Sequence, residues 1–148
     1  MIGVIIKPSD LPRVLRIHHC AFAHDTTRSP EERFAVLLDL PVCHSEEVDG
    51  FTERMIPVGD GYVQTLEVTG PGVVEKFVTR RGSSLHHIAF EVDDIDGYLR
   101  ILRGKSVQLI DEVPRPGGMG TKIAFIHPSE FDGLLVELVE VPKTAADK

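Results

Sequence analysis

Apolar and polar residues alternate along much of this chain, and the alternation predicts β-strands because successive strand side chains point to opposite faces. Two similar strands, Ile17–Ala23 and Leu85–Val92, stand out. Further predicted strands lie near Val42–Val48, Phe51–Val58, Tyr62–Thr69, Val107–Glu112, Lys122–His127 and Leu134–Val141. The apolar residues Phe22, Ile88, Phe90 and Val92 suit a helix-packed face, which leaves His19 and His87 on the other face of their strands.

Helical spacing predicts one helix after each of the two similar strands. The first begins at Ser29-Pro30-Glu31-Glu32, a capping-box start with proline at the first helical position. Its apolar stripe is Phe34, Leu37 and Leu38, and Leu40-Pro41 ends it. The second helix is capped by Asp93-Asp94 and stops at Gly104, and a short helix over Val73–Thr79 precedes Arg80-Arg81-Gly82.

Each half of the chain therefore reads β-α-β-β-β, which predicts an α+β fold of two tandem modules. Two such modules placed side by side bend a mixed sheet around a concave, metal-binding cleft. The predicted segments are an N-terminal extension 1–13, a single domain 14–141 with modules 14–69 and 83–141 joined by linker 70–82, and a C-terminal tail 142–148.

The two halves repeat their polar residues as well as their strands. His19 and His87 are separated by 68 residues, and Gln64 and Glu137, in a second pair of similar segments, by 73. Such self-similarity indicates a duplicated module, and each copy would give two side chains to one shared site. Imidazole, amide and carboxylate groups bind divalent metals.

Composition narrows the function classes. The chain of 148 residues has a net charge of −7, which argues against general nucleic-acid binding. The only two cysteines, Cys20 and Cys43, lack C-x-x-C spacing, so a reducing, cytoplasmic setting fits. No apolar run approaches membrane-spanning length, so no membrane partner is expected.

Several motifs of the second half resemble those of methylmalonyl-CoA epimerases, enzymes of the vicinal oxygen chelate superfamily. They are Leu85-His86-His87-Ile88-Ala89-Phe90-Glu91-Val92, then Leu109-Ile110-Asp111-Glu112-x-Pro114, Gly118-Met119-Gly120, Ile123-Ala124-Phe125-Ile126-His127-Pro128 and Val136-Glu137-Leu138-Val139. The resemblance covers residues 16–141 and implies the superfamily's fold.

The resemblance implies metal ligands at His19, Gln64, His87 and Glu137. These side chains would leave a divalent cation with net positive charge and open positions, so that it acts as a Lewis acid. The resemblance points to Co²⁺, and the donor types also suit Zn²⁺, Mn²⁺ or Ni²⁺.

The implied reaction interconverts the 2R and 2S forms of methylmalonyl-CoA, or of a close 2-substituted malonyl-CoA. Two bases would move the proton through a metal-stabilised enolate, one on each face of the carbon. The resemblance assigns Glu53 and the ligand Glu137 as these bases. The acids Glu46, Glu47 and Asp49, in the preceding hairpin, are the alternatives to Glu53.

The implied partner is an acyl-CoA, and the implied assembly is a homodimer. Cations and backbone donors near the cleft mouth would hold the CoA chain. Their positions suggest Arg115 and Lys122 with the glycine loop that contains Gly118 and Gly120.

Other interpretations stay open. Strand histidines are usually structural, and His18, His24 and His86 are assigned that role. On the same fold, an extradiol-type dioxygenase uses two histidines and one carboxylate on iron without a fourth protein ligand, so Gln64 counts against it. A glyoxalase-type isomerase typically uses two carboxylates, and a non-enzymatic small-molecule-binding protein would normally lack the metal set.

Overall fold

The computed structural model describes residues 10–147. The strands are β1 Val14–His24, β2 His44–Val48, β3 Phe51–Val58, β4 Gly61–Val68, β5 Ser84–Val92, β6 Arg115–Pro116, β7 Lys122–Ile126 and β8 Val136–Glu140. The helices are α1 Pro30–Leu38, α2 Val73–Arg81 and α3 Ile95–Gly104, with short 3-10 turns at Gly118–Gly120, Pro128–Phe131 and Ala145–Asp147. Residues 1–9 of the predicted N-terminal extension lie outside the described part.

The order of the elements confirms the predicted class. β1, α1 and β2–β4 form the first β-α-β-β-β series, and β5, α3 and β6–β8 form the second. The linking helix α2 runs to Arg81, two residues beyond its predicted end. Within residues 10–147, no helix is long and apolar enough to cross a membrane.

The chain divides into two compact units at residue 89, inside β5. Of the described residues, the N-terminal unit comprises Ile17–Ala89, and the C-terminal unit comprises residues 10–16 and 90–147. The strand order is β2-β3-β4-β1-β5 through the first unit and β5-β8-β7-β6 through the second. His19, Gln64 and His87 all belong to the N-terminal unit.

In the N-terminal unit the sheet is mixed. β1 runs parallel to β4, with Ala21 opposite Gln64, whereas β3 is antiparallel to both β2 and β4. The small side chains of Ala21 and Ala23 leave room for α2, whose Val74 packs on them and on Leu66. The core of this unit therefore lies on the sheet face that also carries the side chains of alternate β1 residues, including His19.

Helix α1 begins as predicted, because the Ser29 hydroxyl accepts a hydrogen bond from the Glu32 amide. Its predicted apolar stripe is only partly buried, since Leu37 and Leu38 are each 61% exposed. The buried residue of α1 is instead the acidic Glu31. A cavity of about 500 Å³ lies under the helix, so α1 is held by its polar first turn more than by its stripe.

In the C-terminal unit, α3 packs on the strands through Ile95 and Leu99, which are fully buried with Val92 and Ala124. Phe90 packs against the same cluster, which confirms the predicted helix-packed face of β5. The Asp94 side chain caps α3 by accepting a hydrogen bond from the Gly97 amide, which confirms the predicted cap at Asp93-Asp94.

The predicted strand Val107–Glu112 is wrong. Only Leu109 forms a β-bridge there, with Ile126. The amides of Ile110 and Asp111 both donate to the Phe125 carbonyl, and the Phe125 amide donates to the Asp111 side chain. The Asp111 side chain thus takes the place of a backbone acceptor and ends the strand pairing, and the short β6 forms later, at Arg115–Pro116.

Candidate functional site

Two buried imidazole rings contact each other edge to face in the N-terminal unit. His19 on β1 and His87 on β5 are 3% and 4% exposed, and their Nε2 atoms lie 3.1 Å apart. Two nitrogens bound to one ion at about 2.0–2.1 Å lie roughly 3.0 Å apart at a right angle and about 3.3 Å apart at the tetrahedral angle. The observed separation is that of a hydrogen bond between the rings and also falls in this range, so the two rings are close enough to bind one cation.

Each of these rings is contacted by the histidine before it. His18 and His19 are joined through their Nδ1 atoms at 2.8 Å, and His86 and His87 through theirs at the same distance. A hydrogen bond at the second ring nitrogen fixes the orientation of a ligating imidazole. Strand alternation alone assigned His18 and His86 structural roles. The repeated His-His pair is the sequence feature that could have predicted these contacts.

Gln64 on β4 adds a third polar group to the same sheet face. It is 5% exposed and lies opposite Ala21 of β1, two residues from His19. Its Nε2 group donates to the sulfur of Met55 at 3.5 Å. Its Oε1 atom is buried and has no hydrogen-bond partner among residues 10–147.

This donor set fits a divalent metal ion. A buried oxygen without a partner costs about 1–3 kcal/mol, so its presence calls for a ligand that supplies the missing interaction. An amide oxygen and two neutral imidazoles suit zinc, cobalt, nickel or manganese. The N-terminal unit alone therefore offers three of the four predicted ligands.

The candidate base Glu53 lies on the same face. It is two residues from Met55 on β3, and Met55 is the register partner of Gln64. Directly opposite Glu53 on β2 is Glu46, which is exposed, whereas Glu53 is half-buried. Glu47 pairs with Thr52 and faces away, so Glu46 is the one strand residue among the alternative acids that shares the face of Glu53.

The fourth predicted ligand, Glu137, lies in the C-terminal unit. It is on β8 opposite Phe125 of β7 and is 4% exposed. A carboxylate is rarely so deeply buried without a charged or polar partner. Its burial is compatible with a ligand role, and its membership of the set stays a prediction.

The predicted CoA-binding residues lie around a cavity of about 480 Å³ in the C-terminal unit. Its lining includes Arg115, Gly120 and Lys122, but not Gly118. Both cations face carboxylates. Arg115 Nε is 3.1 Å from Asp111, and Lys122 Nζ is 3.8 Å from Asp96, which also lines the cavity. Gly118 instead accepts two hydrogen bonds from Thr121, so it shapes the loop.

A buried ionic cluster, which sequence reasoning did not identify, lies on the α1 side of the N-terminal unit. Glu31 Oε1 is 2.9 Å from His24 Nε2 and 3.6 Å from Arg54, and it accepts a hydrogen bond from Thr65. Arg54 also contacts Glu67 at 2.5 Å. The cluster ties α1 to three strands, and Arg54 and Thr65 are the sequence neighbours of Glu53 and Gln64.

The contacts in this cluster shift the pKa values of Glu31 and His24. Burial opposes the charge of Glu31, but hydrogen bonds from His24 and Thr65 outweigh it and lower the pKa of Glu31 to about 2. Burial likewise opposes the charge of His24. Its hydrogen bonds to Glu31 and to the Asp25 carbonyl, with Coulombic attraction to Glu31 and Glu67, nevertheless raise its pKa above 6.5. Both ring nitrogens of His24 face acceptors, as the imidazolium requires.

The cluster makes stability depend on pH in two windows. The Glu31 contribution is complete above its ordinary pKa of 4.5 and is lost as pH falls toward about 2; it amounts to about 3 kcal/mol. The His24 contribution is complete below 6.5 and is lost as pH rises through the higher folded-state pKa.

We expect Glu31→Gln to lower the free energy of unfolding by about 3 kcal/mol at pH 7, because it removes the buried negative charge facing His24 and Arg54. The difference from wild type should narrow as pH falls below 4.5. Urea denaturation at several pH values measures it. Glu32→Gln, at an exposed position in the same helical turn, should change stability by less than about 0.5 kcal/mol. A Glu31→Gln deficit independent of pH would contradict the assignment.

The chain is similar in sequence and in fold to known proteins. The chain is 35% identical over 131 residues to the uncharacterized protein YqjC of Bacillus subtilis, covering 84% of this chain and 91% of that protein. It is 28% identical over 131 residues to an ethylmalonyl-CoA/methylmalonyl-CoA epimerase of Cereibacter sphaeroides, covering 85% and 98%. A methylmalonyl-CoA epimerase solved with methylmalonyl-CoA and NH4+ is 32% identical, with a TM-score of 0.80, covering 87% and 96%. The sequence profile of the Glyoxalase/Bleomycin resistance protein/Dioxygenase superfamily matches residues 18–125, and the chain belongs to that superfamily.

Proposed function

We propose that the protein is a metal-dependent epimerase of methylmalonyl-CoA or a close 2-substituted malonyl-CoA. One observation carries the proposal: a half-buried carboxylate, Glu53, shares a sheet face with the contacting imidazoles of His19 and His87 and with the amide oxygen of Gln64, which has no partner among residues 10–147. The similar proteins named as epimerases support the same reaction class.

His19, Gln64 and His87 would hold the ion, and we propose Glu137 as the fourth ligand from the resemblance. When bound, a divalent cation supplies Lewis acidity toward substrate oxygens. We propose Co²⁺ as the native metal, with Zn²⁺, Mn²⁺ and Ni²⁺ as the alternatives that these donors accept.

Proton transfer is assigned to the carboxylates. The hydrogen on the carbon between the thioester and the carboxylate is acidic because the anion delocalises into the thioester carbonyl. Glu53 takes this proton and becomes a neutral acid, and the electron pair of the broken C–H bond stays on the substrate. A second group returns a proton to the opposite face, which inverts the centre.

We propose Glu137 as that second group. The resemblance supports this role, and Glu137 is 4% exposed, so bulk water has little access to its carboxyl group. Glu46, which lies opposite Glu53 on the same face, is the alternative base of the N-terminal unit.

The Gln64 oxygen also bears on the other reaction classes. An iron dioxygenase site binds its metal through two histidines and one carboxylate, without a fourth protein ligand. A site for small-molecule binding alone has no reason to keep a buried amide oxygen unpaired beside two imidazoles. A role as metal ligand, which the epimerase proposal includes, accounts for this oxygen.

The cavity at Arg115 and Lys122 is proposed to hold the phosphate-bearing part of the CoA chain. An incoming phosphate group would compete with Asp111 for Arg115 and with Asp96 for Lys122. Both cations are about half exposed, so each can turn toward an anion. We further propose a cytoplasmic location from the cysteine usage and a homodimer from the resemblance.

The proposal is tested by solvent deuterium incorporation at C2 of methylmalonyl-CoA, followed by NMR with divalent metal added. Wild type should exchange rapidly. For the epimer whose C2 hydrogen faces Glu53, Glu53→Gln should lose at least 10²-fold in exchange rate, because it keeps the shape but removes the base on that face. Glu46→Gln should stay within a few-fold of wild type, since Glu46 is not assigned to proton transfer.

The outcomes separate the alternatives. A large loss in Glu46→Gln with little loss in Glu53→Gln would move the base to β2. Absence of exchange in the metal-loaded wild type would overturn the epimerase proposal for this substrate.

Lys122→Glu tests the proposed CoA cavity. Reversing this charge should raise KM for methylmalonyl-CoA about tenfold and leave kcat nearly unchanged, because the contact lies away from the reacting carbon and persists through the reaction. Lys105→Glu, at an exposed position beyond α3 and outside the cavity lining, is the matched control for net charge. Equal effects of the two substitutions on KM would contradict a local phosphate contact.

A further inference from the structure

We propose that Met55 is a positioning residue that orients the side-chain amide of Gln64, so that its oxygen rather than its NH₂ group is presented to the metal. This inference rests on the proposed metal site. It adds a role for β3 beyond carrying the candidate base.

The two side chains are fixed against each other by the sheet. Met55 on β3 and Gln64 on β4 are direct register partners in an antiparallel pair, and both are buried, at 2% and 5% exposure. Directly opposed side chains in such a pair lie on one face and contact each other. The Gln64 Nε2 atom is 3.5 Å from the Met55 sulfur.

The chemistry of the pair determines which way the amide faces. A thioether sulfur can accept a hydrogen bond but cannot donate one. The Gln64 NH₂ group therefore interacts favourably with Met55, whereas the amide oxygen would meet only lone pairs there. A flipped amide would also direct N–H donors toward the site where a cation would bind.

Because Gln64 is buried, its weak contact with Met55 can determine the orientation of the side-chain amide. Its Oε1 atom has no partner within the described chain, so no hydrogen bond to the oxygen competes to set the amide orientation. The Met55 sulfur is then the group that distinguishes the NH₂ end of the amide from its oxygen end. Leucine at position 55 would fill a similar volume but remove that asymmetry.

Met55→Leu tests the proposal with two readouts. In the metal-free protein, NMR of the wild type should show NOEs from the Gln64 Nε2 protons to the Met55 methyl group, and the Nε2 resonances should shift in Met55→Leu. Isothermal titration should show about tenfold weaker Co²⁺ binding, the lower end of the range for residues that orient metal ligands. Ile56→Leu, a fully buried change at the next β3 position, is the packing control and should bind Co²⁺ like wild type.

A double-mutant cycle separates orientation from packing. Gln64→Glu carries a carboxylate with two equivalent oxygens, so it has no orientation to lose. Adding Met55→Leu to Gln64→Glu should change Co²⁺ affinity less than twofold. An equal penalty in both backgrounds, or the absence of the wild-type NOEs, would overturn the role of Met55. Failure of the wild type to bind Co²⁺ while the NOEs are present would instead contradict the proposed metal site.

Discussion

The N-terminal unit is built around a small group of buried polar side chains, one of which has an atom without a partner among residues 10–147. Gln64 presents an amide oxygen with no partner among the described residues, and beside it on the same face His19 meets His87 through ring nitrogens 3.1 Å apart. The unpaired oxygen destabilises the protein by about 1–3 kcal/mol, and a bound cation would supply the interaction that it lacks. The rest of the N-terminal unit can be understood as holding these groups in place. The histidine neighbours set the rings, Met55 lies against the amide, and the ionic cluster around Glu31 ties the strands to α1.

Much of the fold follows from periodicity and caps. The tandem β-α-β-β-β order was predictable because alternation and capping residues agree in both halves. The predicted strand at 107–112 failed because the Asp111 side chain takes a backbone partner of β7, a competition that alternation cannot reveal. The stripe of α1 was misjudged because Glu31, buried among partners distant in sequence, anchors the helix where Leu37 and Leu38 do not.

The sequence predicted those residues of the candidate site that have a counterpart in the other half of the chain. His19 and Gln64 were identifiable because the second half echoes them, and the structure brings His19, Gln64 and His87 to one region of one unit. Met55 belongs to no repeat or motif, and the capping sequence that contains Glu31 predicts a helix start but not an ionic cluster. Their significance arises from cross-strand register and from burial, which only the folded chain defines. His18 and His86 were only partly predictable. They belong to the repeated His-His pair, but strand alternation assigned them a structural role.

The measurement that tests the central claim most directly is a crystal structure of the protein grown with Co²⁺, with anomalous data collected at the cobalt edge. The account predicts one dominant anomalous peak about 2.0–2.2 Å from the Nε2 atoms of His19 and His87 and from the Gln64 amide oxygen. The same map would show directly whether Glu137 completes the set. A peak elsewhere, or histidines that remain joined to each other with no ion between them, would contradict the claim that these buried groups form a metal site.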